Sequence, residues 1–593
     1  MARRPLALAL VLPAALCAAW TLFAGKDLNW DLLNYHYYGP FELLEGRLRQ
    51  DYFAASGQSY VNPIGYLPFY LMVSAGWHSV LVSVLFAIAH SLCLALLYLI
   101  GRRLFPQDRG MAVLATALGA ATAVYWATVG TSFLDPLLVV PMLAGLLLLL
   151  DRRHFALAGI LFGAAAALKY SNAIFALAAL PLVFSSRRSL FSYAIGGAAA
   201  VAVLAGPWLY LMWREFGHPL FPMGQLNLRF APPDLLAALA FPFRMAALDR
   251  SLYVETFAPD LRPAALIVFA VALPFFRKRT ALGDIERRLL TFFVIGVVLW
   301  LLTSANGRYG LVLLLLTGVL LARLAERARI VLGILLVVQL AMLAVASPAR
   351  WYLSEPWSRH WFPFAVPERA QREPALYLTL ETLPMAVVAP FVNHDSAFVN
   401  LRGQRSLSPE DPKLVALLER HRGHVRVLGR ALELKNGAPD PAQIVAYDGT
   451  LTRLGYRMDP ADCFTIAWRP DEDGLSRIAN VLSPAQPLAE SLSVVSCGLV
   501  PAPRDPARAE RERRASVAFD NLQKACPRLF RGQTAVTEPL GGGWSRHYVD
   551  LDARLEAFGE RVMLNRYRAG EIVELGRLDE WEKGGAAQPS ACR

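Results

Sequence analysis

Charge is scarce in this sequence. Asp, Glu, Lys and Arg make up only 18% of its 593 residues against 55% hydrophobic, and the mean hydropathy is +0.38. That balance excludes an ordinary soluble globular protein and makes the bilayer part of the solvent. The six cysteines have no CxxC spacing and no His pair beside them, which excludes a zinc site of the usual kind. No internal repeat or low-complexity run appears. The apolar run 5–24 behind Arg3-Arg4 lacks a convincing small-x-small cleavage site and is long enough to cross, so it reads as an uncleaved first transmembrane helix and not as a signal peptide.

What is present is a succession of long apolar runs. Requiring about twenty apolar residues per crossing, spans fall near 5–24, 80–100, 111–130, 134–150, 191–213, 263–276, 289–304, 309–323 and 329–346. Between 155 and 185 lies a different object, two half-length stretches at 155–168 and 171–184 joined at Lys169-Tyr170. Each is too short to cross comfortably and both outer flanks are basic, which predicts a hairpin that enters the membrane and returns. The chain therefore has about eleven membrane segments.

The net charge of +12 suggests nucleic acid only until its placement is read. Arg3-Arg4, Arg102-Arg103, Arg152-Arg153, Arg187-Arg188 and the runs 277–288 and 323–329 all fall on one side, which the positive-inside rule makes cytoplasmic. The other side receives outer loops near 25–79 and 214–262, short turns at 129–135 and Asn306-Gly307, and the whole polar tail. Apolar runs stop near Ser347, so the expected division is a transmembrane domain at 1–350 and an extracytoplasmic domain at 351–593. Helix-like pieces at 412–422 and 441–457 alternate there with strand-like pieces at 424–428 and 463–468, which predicts α/β. The charged stretch 504–514 reads as a linker or a solvated helix. Cys463, Cys497, Cys526 and Cys592 lie in this tail and can form disulfides in an oxidising compartment, such as Cys463 with Cys497, although spacing does not fix the pairing.

The outer side is where chemistry is expected. The first loop opens with Lys26-Asp27-Leu28-Asn29-Trp30-Asp31 and continues through Asn34-Tyr35-His36-Tyr37-Tyr38; farther on comes Tyr60-Val61-Asn62-Pro63-Ile64-Gly65-Tyr66. These segments resemble the GT-C superfamily of multi-span glycosyltransferases, which includes protein O-mannosyltransferases and lipid A aminoarabinose transferases. Asp31 ahead of Tyr35-His36 is similar to the acidic residue of that family's first outer loop, with Asp27 the competing candidate. Asn62-Pro63 looks like its His-Pro-Pro-type segment with Asn in place of His. Leu134-Asp135-Pro136 resembles the second acidic loop. Gly159 and Gly163 ahead of Lys169-Tyr170-Ser171 resemble its half-helix pair. Gly217-His218-Pro219 resembles a Gly-Asn-Pro exit, and Arg308-Tyr309 the Arg-Tyr that opens a late span. The match covers roughly residues 1 to 346 and nothing in the tail.

The resemblance implies a membrane all-α, GT-C-like helical bundle with a re-entrant half-helix hairpin, followed by the α/β domain. It implies an inverting glycosyltransferase that moves a sugar from a polyprenyl-phosphate donor to a lipid, glycan or protein acceptor at the outer face of a bacterial-type inner membrane. Such a transfer needs a base for the acceptor hydroxyl and cations for the departing phosphate. Asp31, Asp27 and Asp135 are the catalytic candidates, and Lys169, Tyr170, Arg308, Tyr309, Tyr35, His36 and His218 the substrate-binding ones. No definite cofactor is implied, and metal use is open: Asp31 and Asp135 could share a divalent metal. Bland readings stand beside these: Asp31 or Asp135 as a helix cap, Arg308 as a snorkelling anchor, the histidines as structural. Lys169 is the hardest to explain blandly, since a cation between apolar half-helices is costly unless it lines a polar cavity. A transporter of lipid-linked saccharides would show repeated halves with paired broken helices, and no second segment like Lys169-Tyr170 is present. A non-catalytic scaffold carrying the tail is the remaining alternative.

Overall fold

A computed structural model describes residues 3–222, 229–247, 252–276, 282–346, 354–402, 407–435, 437–488, 492–530, 535–548, 551–567 and 570–584. The basic run at 277–281, the expected domain boundary near 347–353 and Cys592 lie outside the described residues. The chain divides into two compact units, neither of them continuous in sequence. One consists of Met1–Asn29, Asn62–Trp361 and Asp471–Leu488; the other of Trp30–Val61, Phe362–Pro470 and Ala489–Arg593.

The first unit is helical. Ala7–Ala24 and Ser79–Leu104 are long and apolar enough to cross a membrane alone, and Arg187–Leu204 with Gly206–Phe216 makes a third such element bent by 57°. The bend falls at Ala205 just before Pro207, whose ring has no N–H to continue the ladder. Shorter apolar helices include Arg109–Ala120, Leu134–Leu150, Phe155–Leu168 and Leu311–Leu324. The region read as one span at 111–130 is two helices, Arg109–Ala120 and Ala123–Thr128. Its break has a visible cause: the buried guanidinium of Arg262 donates to the Leu118 and Gly119 carbonyls at 2.6 and 2.9 Å, and the Trp126 indole N–H donates to Ala120 O. Those oxygens are taken from the helix ladder.

Glycines set the closest packing. A methyl group on Gly159 would meet the Tyr193 carbonyl, one on Gly196 the Ala156 carbonyl, and one on Gly163 the Gly197 oxygen at 2.5 Å. Phe155–Leu168 and Arg187–Leu204 can therefore lie backbone to backbone only with these residues, as small-residue motifs allow. At one end of the unit the basic clusters are cross-linked by acids: Arg103 pairs with Asp151 at 2.8 Å, Arg152 with Asp284 at 3.2 Å, and Arg329 with Asp108. Clusters far apart in sequence thus share one end of the bundle.

The second unit is α/β, as the tail's alternating pattern predicts. A six-stranded sheet runs in the order Phe364–Ala365, Tyr456–Trp468, Val494–Pro501, Val425–Gly429, Leu376–Thr379, Ala397–Asn400. Its last three strands are parallel and buried at every position, so their sequences lack the alternation of a half-exposed strand. Cys463 and Cys497 face each other across neighbouring strands and are joined by a disulfide. The stretch at 504–514 belongs to a helix, Pro506–Ala525, which buries Ala515, Ala518, Phe519 and Leu522 at helical spacing. These pack with Trp544, Leu555, Val562 and Leu564 of a five-stranded antiparallel meander, Glu538–Leu540 through Glu571–Arg577.

Part of the first outer loop folds with this unit. Tyr52 N donates to Phe398 O, and Arg47 donates to the His394 and Ser396 carbonyls. Arg47 also grips Asp51 through two hydrogen bonds of 2.8 and 3.0 Å. The Tyr38 hydroxyl lies 2.9 Å from Asp51 Oδ2 and 3.1 Å from Glu42 Oε1.

Candidate active site

Lys169 ends the helix Phe155–Leu168 in an extended conformation, and the chain resumes as a short 3₁₀ turn at Tyr170–Asn172 before Ala173–Ala178. The helix break expected at Lys169-Tyr170 is therefore real. Asn62 ties its near side to a neighbouring helix end, since its amide donates to the Ala167 carbonyl, in the last turn of Phe155–Leu168, and to the Leu204 carbonyl, at the end of Arg187–Leu204, at 3.0 Å each. No sequence pattern marks Asn62 for this task.

The Lys169 ammonium turns to Asp135, in the first turn of Leu134–Leu150, with Nζ 2.6 Å from Oδ1, and also lies 4.3 Å from the Tyr309 ring centroid. Next along the chain, the Arg308 guanidinium stacks over Phe133 at 4.5 Å, and its Nε is 3.9 Å from Glu255 Oε2. Glu255 in turn faces Arg229 at 3.5 Å. The turn carrying Arg308 is fixed by Asn306, whose side-chain oxygen accepts from Arg308 N and whose carbonyl accepts from the Trp300 indole. Lys169, Arg308, Tyr309 and Asp135, spread over 175 positions of sequence, thus form one buried or half-buried cluster. Glu255 and Arg229, which the motifs do not single out, belong to it. Its cations, Lys169, Arg308 and Arg229, converge with Asp135 and Glu255 in an arrangement suited to an anionic group.

Asp27 has a different environment. Its Oδ1 accepts from Asn29 N at 3.1 Å, and its Oδ2 accepts from Asn29 Nδ2 at 2.7 Å and Ser132 N at 3.2 Å. The two-residue strand Lys26–Asp27 pairs with Ser354–Glu355, and buried Lys26 donates to Ser358 at 2.7 Å. Burial pushes the Lys26 ammonium down to about 8 against the pull of Glu355. Asp27 is fully enclosed by this scaffold.

Asp31, Tyr35 and His36 belong to the other unit. Asp31 precedes the π-helical turn Leu32–His36 without capping it through its side chain, and is half-buried. Tyr35 packs edge-on against the buried His36 ring at 4.6 Å. His218 is exposed and Tyr170 half-buried. Among the described residues, no three His, Cys, Asp or Glu side chains are grouped to hold a metal ion.

A half-buried lysine at a helix break, paired with an acid and flanked by an arginine within a helical membrane unit, is an arrangement suited to an anionic group. Residues 60–305 match the sequence model of glycosyltransferase family 87, and the chain is a membrane glycosyltransferase. Two solved structures are similar over most of the chain. One is ArnT from Cupriavidus metallidurans bound to undecaprenyl phosphate, with 12% identity, a TM-score of 0.47, and 84% of this chain and 98% of that one covered. The other is the same protein in the apo state, with 14% identity, a TM-score of 0.36, and 75% and 95% covered. A search of curated proteins finds no match.

Proposed function

We propose that this glycosyltransferase takes its sugar from a polyprenyl-phosphate donor and transfers it, with inversion, to a lipid, glycan or protein acceptor at the outer face of a bacterial-type inner membrane. The observation that carries this reading is the Lys169 cluster. A cation held at a helix break by Asp135 and Tyr309, with Arg308 alongside, can receive the phosphate that leaves when the sugar's C1–O bond breaks. The polyprenyl phosphate seen in the solved structure of ArnT has the same chemistry. Asp31 is the proposed base, taking the acceptor hydroxyl proton, with Asp27 the alternative. Asp135 acts as a positioning residue for Lys169.

The proposed topology has about eleven membrane segments, a cytoplasmic N-terminus and an extracytoplasmic domain at 351–593. The basic clusters gathered at one end of the helical unit support it. Purified protein incubated with an undecaprenyl-phosphate sugar should release undecaprenyl phosphate only when acceptor is supplied, and Lys169→Ala should abolish this. Alkaline phosphatase fused after residue 593 should be active in a bacterial host. Absence of release with any polyprenyl-phosphate sugar would overturn the donor assignment, and an inactive fusion the topology.

A further inference from the structure

One helix from the polar tail, Gly474–Leu482, folds within the unit that holds the membrane helices. Asp473 caps it by accepting from Ser476 N at 2.9 Å and is itself held by His78 Nε2 at 3.0 Å. Asn480 exchanges hydrogen bonds with the Trp357 backbone at 2.6 and 3.0 Å, while the Trp357 indole donates to Leu22 O at 3.1 Å. Ser483 donates to Phe23 O at 3.0 Å. Leu22 and Phe23 close the first span, Ala7–Ala24, so the helix is fixed at the level where that span leaves the bilayer.

Its faces differ sharply. Ser476 and Ala479 are buried, Ala479 among Val80 and Trp357 with Leu22 and Val84 beside it. On the other side Leu475, Ile478, Val481 and Leu482, at helical spacing, are 44%, 67%, 85% and 56% exposed. Four large aliphatic side chains in a row would be unfavourable in water. The apolar surface they join is that of the first span, whose Phe23 is itself 49% exposed, and Trp77, beside His78, is 44% exposed at the same level, where tryptophan favours the bilayer boundary. Arg477, exposed on the flank, has the reach to meet lipid phosphates.

We propose that Gly474–Leu482 is an interfacial helix that lies in the membrane surface at the end of the first span, with Leu475, Ile478, Val481 and Leu482 among the acyl chains and Arg477 at the headgroups. The occupant of this face is lipid. The inference is independent of the donor proposed above, since it uses only the membrane character of the first span.

The test uses the full chain in liposomes of phosphatidylethanolamine and phosphatidylglycerol. A nitroxide is placed at I478C or V481C, with D395C in the other unit as a water-exposed reference and the unsubstituted chain as the labelling control, because Cys17 and Cys93 are buried. At 478 and 481 collision with oxygen should exceed collision with a water-soluble nickel chelate, and at 395 the ratio should be inverted. Nickel access at 478 and 481 equal to that at 395 would put the face in water and overturn the proposal. Low access to both reagents would put protein against the face and overturn it equally.

Discussion

Lys169 Nζ lies 2.6 Å from Asp135 Oδ1, and the two side chains are only 19% and 4% exposed. A pair this enclosed is more costly to break than it is stabilising to have. Lys169→Met alone leaves a carboxylate without its cation, and Asp135→Asn alone leaves the cation; each should lower stability by roughly 3 kcal/mol. The double variant should recover most of that stability in detergent melting curves yet remain inactive if Lys169 serves the departing phosphate. Recovery of transfer by the double variant would remove Lys169 from the chemistry.

Asp31 and Asp27 should separate in their effects. Asp31→Asn should leave the melting temperature near that of the parent chain and lower turnover by on the order of a hundredfold to ten-thousandfold, with donor binding retained. Asp27→Asn exchanges an acceptor of several hydrogen bonds for an amide that presents N–H groups to the Asn29 and Ser132 donors, so it should lower stability first. Full turnover in Asp31→Asn would reject it as the base.

Tyr38 stands between Asp51 Oδ2 and Glu42 Oε1 with one proton to give. Both contacts are satisfied when Tyr38 donates to Asp51 and a protonated Glu42 donates to Tyr38, and burial, reinforced by nearby Asp51, raises the Glu42 carboxyl well above the usual range. A carboxyl whose folded value is raised contributes stability that is complete below its unfolded value and is lost as pH rises through the folded one. Thermal stability should therefore decline as pH rises above the usual carboxylate range, and Glu42→Gln should flatten that decline. An unchanged slope would show that Glu42 is ionised in the folded protein.

Gly196→Leu should collapse the contact between Phe155–Leu168 and Arg187–Leu204, since even a methyl group there meets the Ala156 carbonyl. The loss should exceed about 2 kcal/mol and take transfer with it, because the first of these helices ends in Lys169. Gly474→Ala, at a position with open space around it, is the control expected to be silent. Equal stability of the two variants would contradict the close packing.

Much of this was legible in the sequence because it rests on local patterns. Apolar runs located most of the membrane helices to within a few residues, though not the interruptions inside 111–130 and 191–213; the two half-length stretches located the break at Lys169, and the tail's alternating pieces gave α/β. The parallel strands at 376–379 and 397–400 escaped because burial on both faces removes alternation. The meander at 538–577 was missed altogether.

By itself the sequence determined that the chain needs a bilayer, which end of the helices carries the arginines, and that a lysine sits between two half-helices, since hydropathy and charge are additive along a chain. Only the tertiary structure decided what that lysine meets. Its partner Asp135 comes from another helix and Tyr309 from the turn before Leu311–Leu324, Asn62 ties Ala167 to Leu204, and Glu255 joins Arg308 to Arg229. Tertiary structure alone also took residues 30–61 into one unit with the tail and 471–488 into the other with the membrane helices. Such choices depend on which buried polar groups can satisfy one another at hydrogen-bond distance, a condition set by three-dimensional geometry and invisible to spacing along the chain.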